Sequence, residues 1–147
     1  NKRITNKKTI IVDTKYSSQK KIHLVKTKNE INKNILDKKF KVVDARSKNR
    51  FLGLEKEPRP GLRSGSIKNS YCLPFADLIN KKDKTFKNKH FIKKKFKEVG
   101  IFDENNVVFS CGSGITAAVL ALAYSMINDK YSPTIYDGSW AEYGMTN

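Results

Sequence analysis

The chain has 147 residues, enough for one domain with a real core, and carries a formal charge of +16 from 30 Lys and Arg against 14 Asp and Glu. No apolar run approaches the length that spans a bilayer, no signal-peptide pattern opens the chain, and two cysteines are too few for a disulfide framework. These facts exclude a membrane-spanning or disulfide-framed protein and point to a reducing compartment, the cytoplasm.

In chain order, residues 1–19 are polar and irregular apart from Thr9-Ile10-Ile11-Val12, and read as a linker or leading arm to a domain over 20–147. Asn1 stands where a Met would open a complete chain, which leaves a missing N-terminus open. Ile22-His23-Leu24-Val25 reads as a short strand. Thr27-Lys28-Asn29-Glu30 fits a capping box and predicts a helix through about Leu36. Phe40-Lys41-Val42-Val43-Asp44-Ala45 reads as a strand. Ser47 to Ser70 holds five glycines and prolines and predicts a loop without regular structure. A loop of that length inside a compact domain marks function.

Beyond it, Phe75 to Asn80 reads as a short helix after Pro74, and His90 to Val99 as a helix stopped by Gly100. Val107 to Ser110 has the apolar character of a buried strand. Gly114 to Asn128 is the strongest helix of the chain, and Tyr131 to Tyr136 the last strand. Strands alternating with helices predict an α/β fold: an open, mainly parallel sheet with helices on both faces. Ligands of such sheets sit beyond the carboxyl ends of the strands, which puts the Asp44 end and the loop around Cys111 in one pocket.

Lysine supplies 25 of the 30 basic residues, and Asn and Ile number 13 each. That trio is what A/T-rich coding sequence drifts towards on tolerant surfaces. The densest run, Lys81 to Lys97, interleaves Phe86, Phe91, Ile92 and Phe96, a helix with a buried apolar stripe and a solvated basic face. No nucleic-acid motif accompanies it, so nucleic acid is not an expected partner. Arginine is used differently, with four of five (Arg46, Arg50, Arg59, Arg63) inside one 18-residue stretch. The planar guanidinium grips a carboxylate through two parallel hydrogen bonds, which an ammonium cannot do. For Arg46 and Arg63 the simpler reading is structural ion pairing with Asp44, Glu55 and Glu57.

The most informative segment is Cys111-Gly112-Ser113-Gly114-Ile115-Thr116-Ala117, lying between the Val107 strand and the long apolar helix. Glycines there let the backbone curl so that several N–H groups aim at one spot, and the helix adds its positive end. A thiol at that spot, open to solvent, ionises readily and becomes a nucleophile. A phosphatase loop, Cys-x5-Arg, needs arginine where Ala117 stands. A zinc site lacks a second cysteine at ligand spacing, and His23 and His90 lie in unrelated segments, so no metal is expected. A Cys-His dyad stays open, though nothing in the sequence brings either ring to Cys111. Cys72 reads as a small packing residue and Trp140 as core or pocket wall.

These segments resemble a rhodanese domain, in particular the catalytic C-terminal domain of 3-mercaptopyruvate sulfurtransferases. The resemblance rests on Val43-Asp44-Ala45-Arg46, Arg50-Phe51, Glu57-Pro58-Arg59, Gly65-Ser66-Ile67, the Cys111 loop and Asp137-Gly138-Ser139-Trp140, in family order. It implies that Cys111 accepts sulfur from 3-mercaptopyruvate as a covalent persulfide, without another cofactor. A thiol such as thioredoxin, or cyanide, then carries the sulfur away. It further implies that Arg50 and Arg59 hold the substrate, and that Ser113 and Thr116 donate or relay hydrogen bonds near the sulfur. Backbone N–H groups of residues 112–116 (Gly112, Ser113, Gly114, Ile115, Thr116) would cradle the persulfide, with Asp44 and Arg46 in support.

Two departures stand out. Family members usually carry two tandem rhodanese domains, and only the second resembles this chain, so either a second rhodanese domain is the missing partner or the chain acts as a shortened enzyme with a more open pocket. The common Gly-His-Ile-Pro stretch is here Gly65-Ser66-Ile67-Lys68. The rival readings are a thiosulfate sulfurtransferase, which typically has basic residues where Gly112 and Ser113 stand, and a non-catalytic binding module whose basic face docks an acidic partner.

Overall fold

The computed structural model describes residues 6–8, 10–19, 21–103 and 106–146. Five strands form one all-parallel open sheet in the order β1-β5-β4-β2-β3. They are β1 (Val25–Lys26), β2 (Lys41–Asp44), β3 (Tyr71–Cys72), β4 (Val107–Ser110) and β5 (Thr134–Tyr136). The helices are α1 (Lys28–Asp37), α2 (Lys48–Phe51), α3 (Lys89–Glu98), α4 (Ile115–Ser125) and α5 (Ser139–Tyr143).

Alternation along the central strands sorts the core into two layers. Val43, Val107 and Phe109 face Ile92 and Phe96 of α3 and Leu120 and Tyr124 of α4. Val42, Val108 and Tyr136 face Ile31 of α1 and Trp140 of α5. Helices therefore cover both sheet faces, which is why β4 is buried at every position and apolar at all but Ser110. The α3/α4 layer is locked by aromatic edges, with Tyr124 packed 4.8 Å from Phe96 and 4.9 Å from Tyr131. Among the described residues no helix is long and apolar enough to cross a membrane.

The capping box forms in full: Glu30 N–H bonds the Thr27 hydroxyl at 3.3 Å and Thr27 N–H bonds the Glu30 carboxylate at 2.9 Å. Lys26 binds the same carboxylate at 2.8 Å. Its hydrogen bond is the largest of the forces that, with those from Thr27, hold Glu30 down at about 2.

Several elements differ from expectation. Residues Ile22–Leu24 make a 3-10 turn, and only Val25 and Lys26 pair as a strand, opposite Ile135 and Tyr136. Ile22 is exposed. The loop after Ser47 begins with helix α2, because Ser47 caps Arg50 N–H and the glycines and prolines start only at Gly53. The helix within the Lys81–Lys97 run starts at Lys89. Asn88 caps it, and residues 80–87 instead turn back through Asn80–Thr85 and Asp83–Thr85 hydrogen bonds. Phe86 and Phe91 are consequently only half-buried, while Ile92 and Phe96 are buried. The last strand begins at Thr134, since Pro133 offers no N–H to the ladder.

Of the leading residues, 1–5 and 9 lie outside the described residues. Ile10, Ile11 and Val12 are exposed, and residues 10–19 carry no helix or strand.

Candidate active site

Cys111 follows the last residue of β4, at the carboxyl end of the central strand, and its loop runs into α4. Gly114 holds the turn at φ +84°, a left-handed conformation open to glycine. A Cβ there would also meet the Asp137 side chain at 2.7 Å and its carbonyl at 3.0 Å. An ordinary residue at 114 would strain the turn and crowd Asp137.

The sulfur lies inside this curl. Ser113 N–H points at it from 3.4 Å. Burial alone would push the thiol up. The Thr116 hydroxyl and the N–H groups of Ser113, Ala117 and Thr116 outweigh it, so the thiol ionises below its ordinary value. Cys111 is only 2% exposed, yet it lines a cleft of about 270 Å³ with Arg50, Glu57, Arg59 and Ser113. The sulfur is recessed rather than sealed, which is more enclosed than the sequence suggested. A larger hollow, about 510 Å³, lies at the opposite ends of the strands between Lys33, Phe40 and Lys130 and contains no thiol.

Cys72 provides an internal contrast. Desolvation is the main force pushing its thiol up to about 11. At neutral pH about one Cys72 in 10⁴ is ionised. Iodoacetamide reacts with thiolates, so at pH 7 we expect Cys111 to be alkylated far ahead of Cys72. Its rate should level off at a pH below that of an ordinary thiol. Peptide mapping after a timed pulse reads both sites, and equal labelling would contradict the cradle.

The arginine loop approaches from β2. Asp44 ends that strand and, with its neighbour Arg46, is buried. Arg46 gives its Nε and Nη2 groups to Asp44 (2.9 and 2.7 Å), its Nη1 to Glu57 (2.7 Å) and its Nη2 to the Gly65 carbonyl (2.7 Å). Glu57 also takes Arg50 through Nη2 at 2.6 Å and Nε at 3.2 Å. A four-membered chain of alternating charge, Asp44–Arg46–Glu57–Arg50, thus runs from the sheet into the cleft. The hydrogen bonds to Glu57 hold Arg50 above its ordinary value, so it is a fixed cation.

Arg50 spends its bidentate fork on the protein's own Glu57. Its Nη1 has no partner among the described residues. Gly112 lets the guanidinium lie close, since a Cβ at 112 would sit 3.1 Å from Nη2. Arg59 is exposed at the cleft mouth. Arg63 departs from expectation, as no ion pair reaches it among the described residues. Instead it lies 4.6 Å over the Trp140 ring and donates to the Tyr143 carbonyl at 3.4 Å. Glu55 likewise pairs with no arginine there and accepts from Ser47.

The structure therefore joins Cys111, Ser113, Thr116, Arg50 and Arg59 around one cleft, with Asp44 and Arg46 behind it. His23 and His90 are both exposed and neither lines it. Among the described residues no group of three His, Cys, Asp or Glu is placed to hold a metal.

Sequence reasoning missed Ser139. Buried and held at φ +50°, its hydroxyl accepts N–H from Cys111 (3.0 Å) and Gly114 (3.1 Å). It donates to the Tyr136 carbonyl at 2.9 Å and lies 4.0 Å from the Cys111 sulfur. One side chain from α5 thus ties both ends of the curl. Its signal was the run Asp137-Gly138-Ser139-Trp140, noticed as a motif but given no partner.

Residues 27–146 match the rhodanese-like domain family. The chain is similar to "Thiosulfate/3-mercaptopyruvate sulfurtransferase 1, mitochondrial" of Arabidopsis thaliana, with 39% identity over 121 residues covering 82% of this chain and 31% of that protein. It is also similar to 3-mercaptopyruvate sulfurtransferase of Homo sapiens, 36% identical over 121 residues and covering 82% and 40% respectively. The crystal structure of Tum1 protein from Saccharomyces cerevisiae shares the fold at a TM-score of 0.70 and 28% identity, over 81% of this chain and 42% of that one. The chain spans about a third to two fifths of the length of these relatives. With the parallel sheet, the glycine-curled Cys111 loop and the family match in agreement, the chain belongs to the rhodanese-like domain family.

Proposed function

We propose that this chain is a sulfurtransferase domain that takes sulfur from 3-mercaptopyruvate and passes it to a thiol through a persulfide on Cys111. The observation that carries the reading is a recessed thiol made acidic by N–H and O–H donors, facing cationic Arg50 and Arg59 across one cleft. The Cys111 thiolate attacks the donor sulfur, an S–S bond forms, and the C–S bond breaks with its electron pair left on the pyruvate enolate. The enolate takes up a proton to become pyruvate, and Ser113 at the cleft wall is the candidate for that path. The outer sulfur ionises and is held by the donors around Cys111, the Thr116 hydroxyl and the N–H groups of Ser113, Thr116 and Ala117, which stabilise the charge. The Gly114 N–H, expected in that cradle, is taken by the Ser139 hydroxyl. An acceptor thiolate then attacks that sulfur, and Cys111 leaves as a thiolate.

Arg59, and the Nη1 group of Arg50, hold the donor's carboxylate and keto oxygens, with Asp44 and Arg46 fixing Arg50 through Glu57. No cofactor beyond the persulfide enters this scheme. A reducing compartment such as the cytoplasm would keep both thiols free. A second rhodanese domain, if joined to this one, would narrow the cleft further.

The neutral Gly112-Ser113 pair favours mercaptopyruvate over thiosulfate, a doubly charged donor that gains most from basic side chains in the loop. The test compares kcat/KM for both donors, with mass spectrometry to detect one added sulfur on Cys111. We expect mercaptopyruvate to be preferred, and Arg59→Lys to lower its kcat/KM about tenfold with a smaller effect on thiosulfate. A parent preference for thiosulfate, or an unchanged donor ratio in the lysine variant, overturns the donor assignment. A protein that never gains sulfur from either donor favours the binding-module reading.

A further inference from the structure

Helix α4 is apolar on every side, and a helix of that kind belongs in an interior. Its inward side, Ala117, Leu120, Ala121 and Tyr124, is buried. Its outward side, Ile115, Ala118, Val119, Leu122 and Met126, is not: Ile115 is 75% exposed, Leu122 is 55% exposed, Ala118 is exposed, and the other two are half-buried. These positions fall on one helix face and make a stripe about 16 Å long at 1.5 Å per residue. No charged residue occurs from Asn106 to Asn128, in a chain that is 30% charged. Lysine has spread over the other surfaces but not this one.

Two features say what covers the stripe. It starts at Ile115, on the wall of the Cys111 cleft, so whatever docks along it reaches the cleft mouth. It ends at Met126, the residue that caps α4, beside Lys89, Lys93 and Asp129, with Lys93 paired to Asp103 at 3.1 Å, while Arg59 stands at the other end. An apolar strip free of charged residues, on a chain whose net charge is +16, fits a partner with an apolar face and acidic flanks. A second copy, also at +16, would be repelled. A small thiol needs no such strip, whereas a protein thiol must be held while its sulfur reaches one that is 2% exposed.

We propose that the outward face of α4 docks an acidic, thiol-bearing protein that takes the sulfur from Cys111. The proposal rests on the sulfur-transfer reading above. The probe is reduced thioredoxin, a small acidic dithiol protein, and the first readout needs no chemistry. Titrated into the Cys111→Ser chain, it should shift the backbone amides of α4. Leu122→Glu should weaken that binding at least about tenfold, as should raising salt from about 50 to 300 mM. Leu122 is exposed, so the melting temperature should be unchanged. In the chain with Cys111 present, Leu122→Glu should slow sulfur transfer to thioredoxin by a similar factor and leave transfer to cyanide within about twofold. No binding, shifts away from α4, or equal slowing of both acceptors overturns the proposal. So does a self-association that Leu122→Glu abolishes while the thioredoxin rate stays put. If cyanide receives no sulfur at all, the sulfur-transfer reading fails, and the binding titration still decides the docking surface.

Discussion

Cys111→Ser is expected to fold as the parent does and to transfer no measurable sulfur. The serine hydroxyl fits the space, but it cannot ionise near neutral pH. The Thr116 hydroxyl and the amides of Ser113, Thr116 and Ala117 then have no anion to stabilise. A loss of at least about 10³-fold in kcat/KM follows from removing a covalent nucleophile that works as a unit with its cradle. Donor turnover, intact mass after donor treatment and a thermal melt check the three parts separately. A residual rate within a hundredfold of the parent would mean that another group carries sulfur. The only other cysteine is Cys72, whose raised thiol makes it a poor substitute.

Arg46→Met should be the most damaging change to stability. Arg46 is buried between two carboxylates, Asp44 and Glu57, whose side chains are 2% and 1% exposed. Removing the guanidinium leaves Asp44 buried without a counter-ion and Glu57 with Arg50 alone. Breaking a buried ion network from one side costs about 3–5 kcal/mol, a large part of a small domain's stability. Methionine keeps the apolar stem, so the loss reports the charge. Urea unfolding measures it, and Arg59→Met, at an exposed position, should stay within about 0.5 kcal/mol. An Arg46 variant as stable as the parent would show the network to be dispensable. At temperatures where the variant remains folded, weaker use of mercaptopyruvate is expected, because Glu57 no longer has Arg46 to fix it against Arg50.

What the sequence revealed followed from local rules. The capping box at Thr27, the buried strand at Val107 and the glycine-bounded turn after Cys111 are each written within a few residues, and each formed. The order of strands and helices was enough to bring the Asp44 end and the Cys111 loop to one side of the sheet. What stayed hidden depends on distance along the chain. Strands β1 and β3 have two residues each, too short for any period, and exist only because a neighbour pairs with them. Ser139 meets Cys111 across 28 positions, and Arg50 finds Glu57 within a loop whose path the sequence does not specify. The arginine cluster correctly marked a need for guanidinium forks, but it did not say that Arg50 would spend its own on the protein.

The indole of Trp140, the chain's sole tryptophan, has a practical use. Two guanidinium groups lie over its ring, Arg46 at 4.5 Å and Arg63 at 4.6 Å, and its N–H is tied to the Arg63 carbonyl at 2.8 Å. Its own backbone N–H bonds the Cys111 carbonyl at 2.9 Å. One chromophore is thereby wired to the buried charge network and to the reacting loop together. Sulfur loading that alters the loop should change the ultraviolet emission of the unlabelled protein, giving each half-reaction an optical clock with no dye attached.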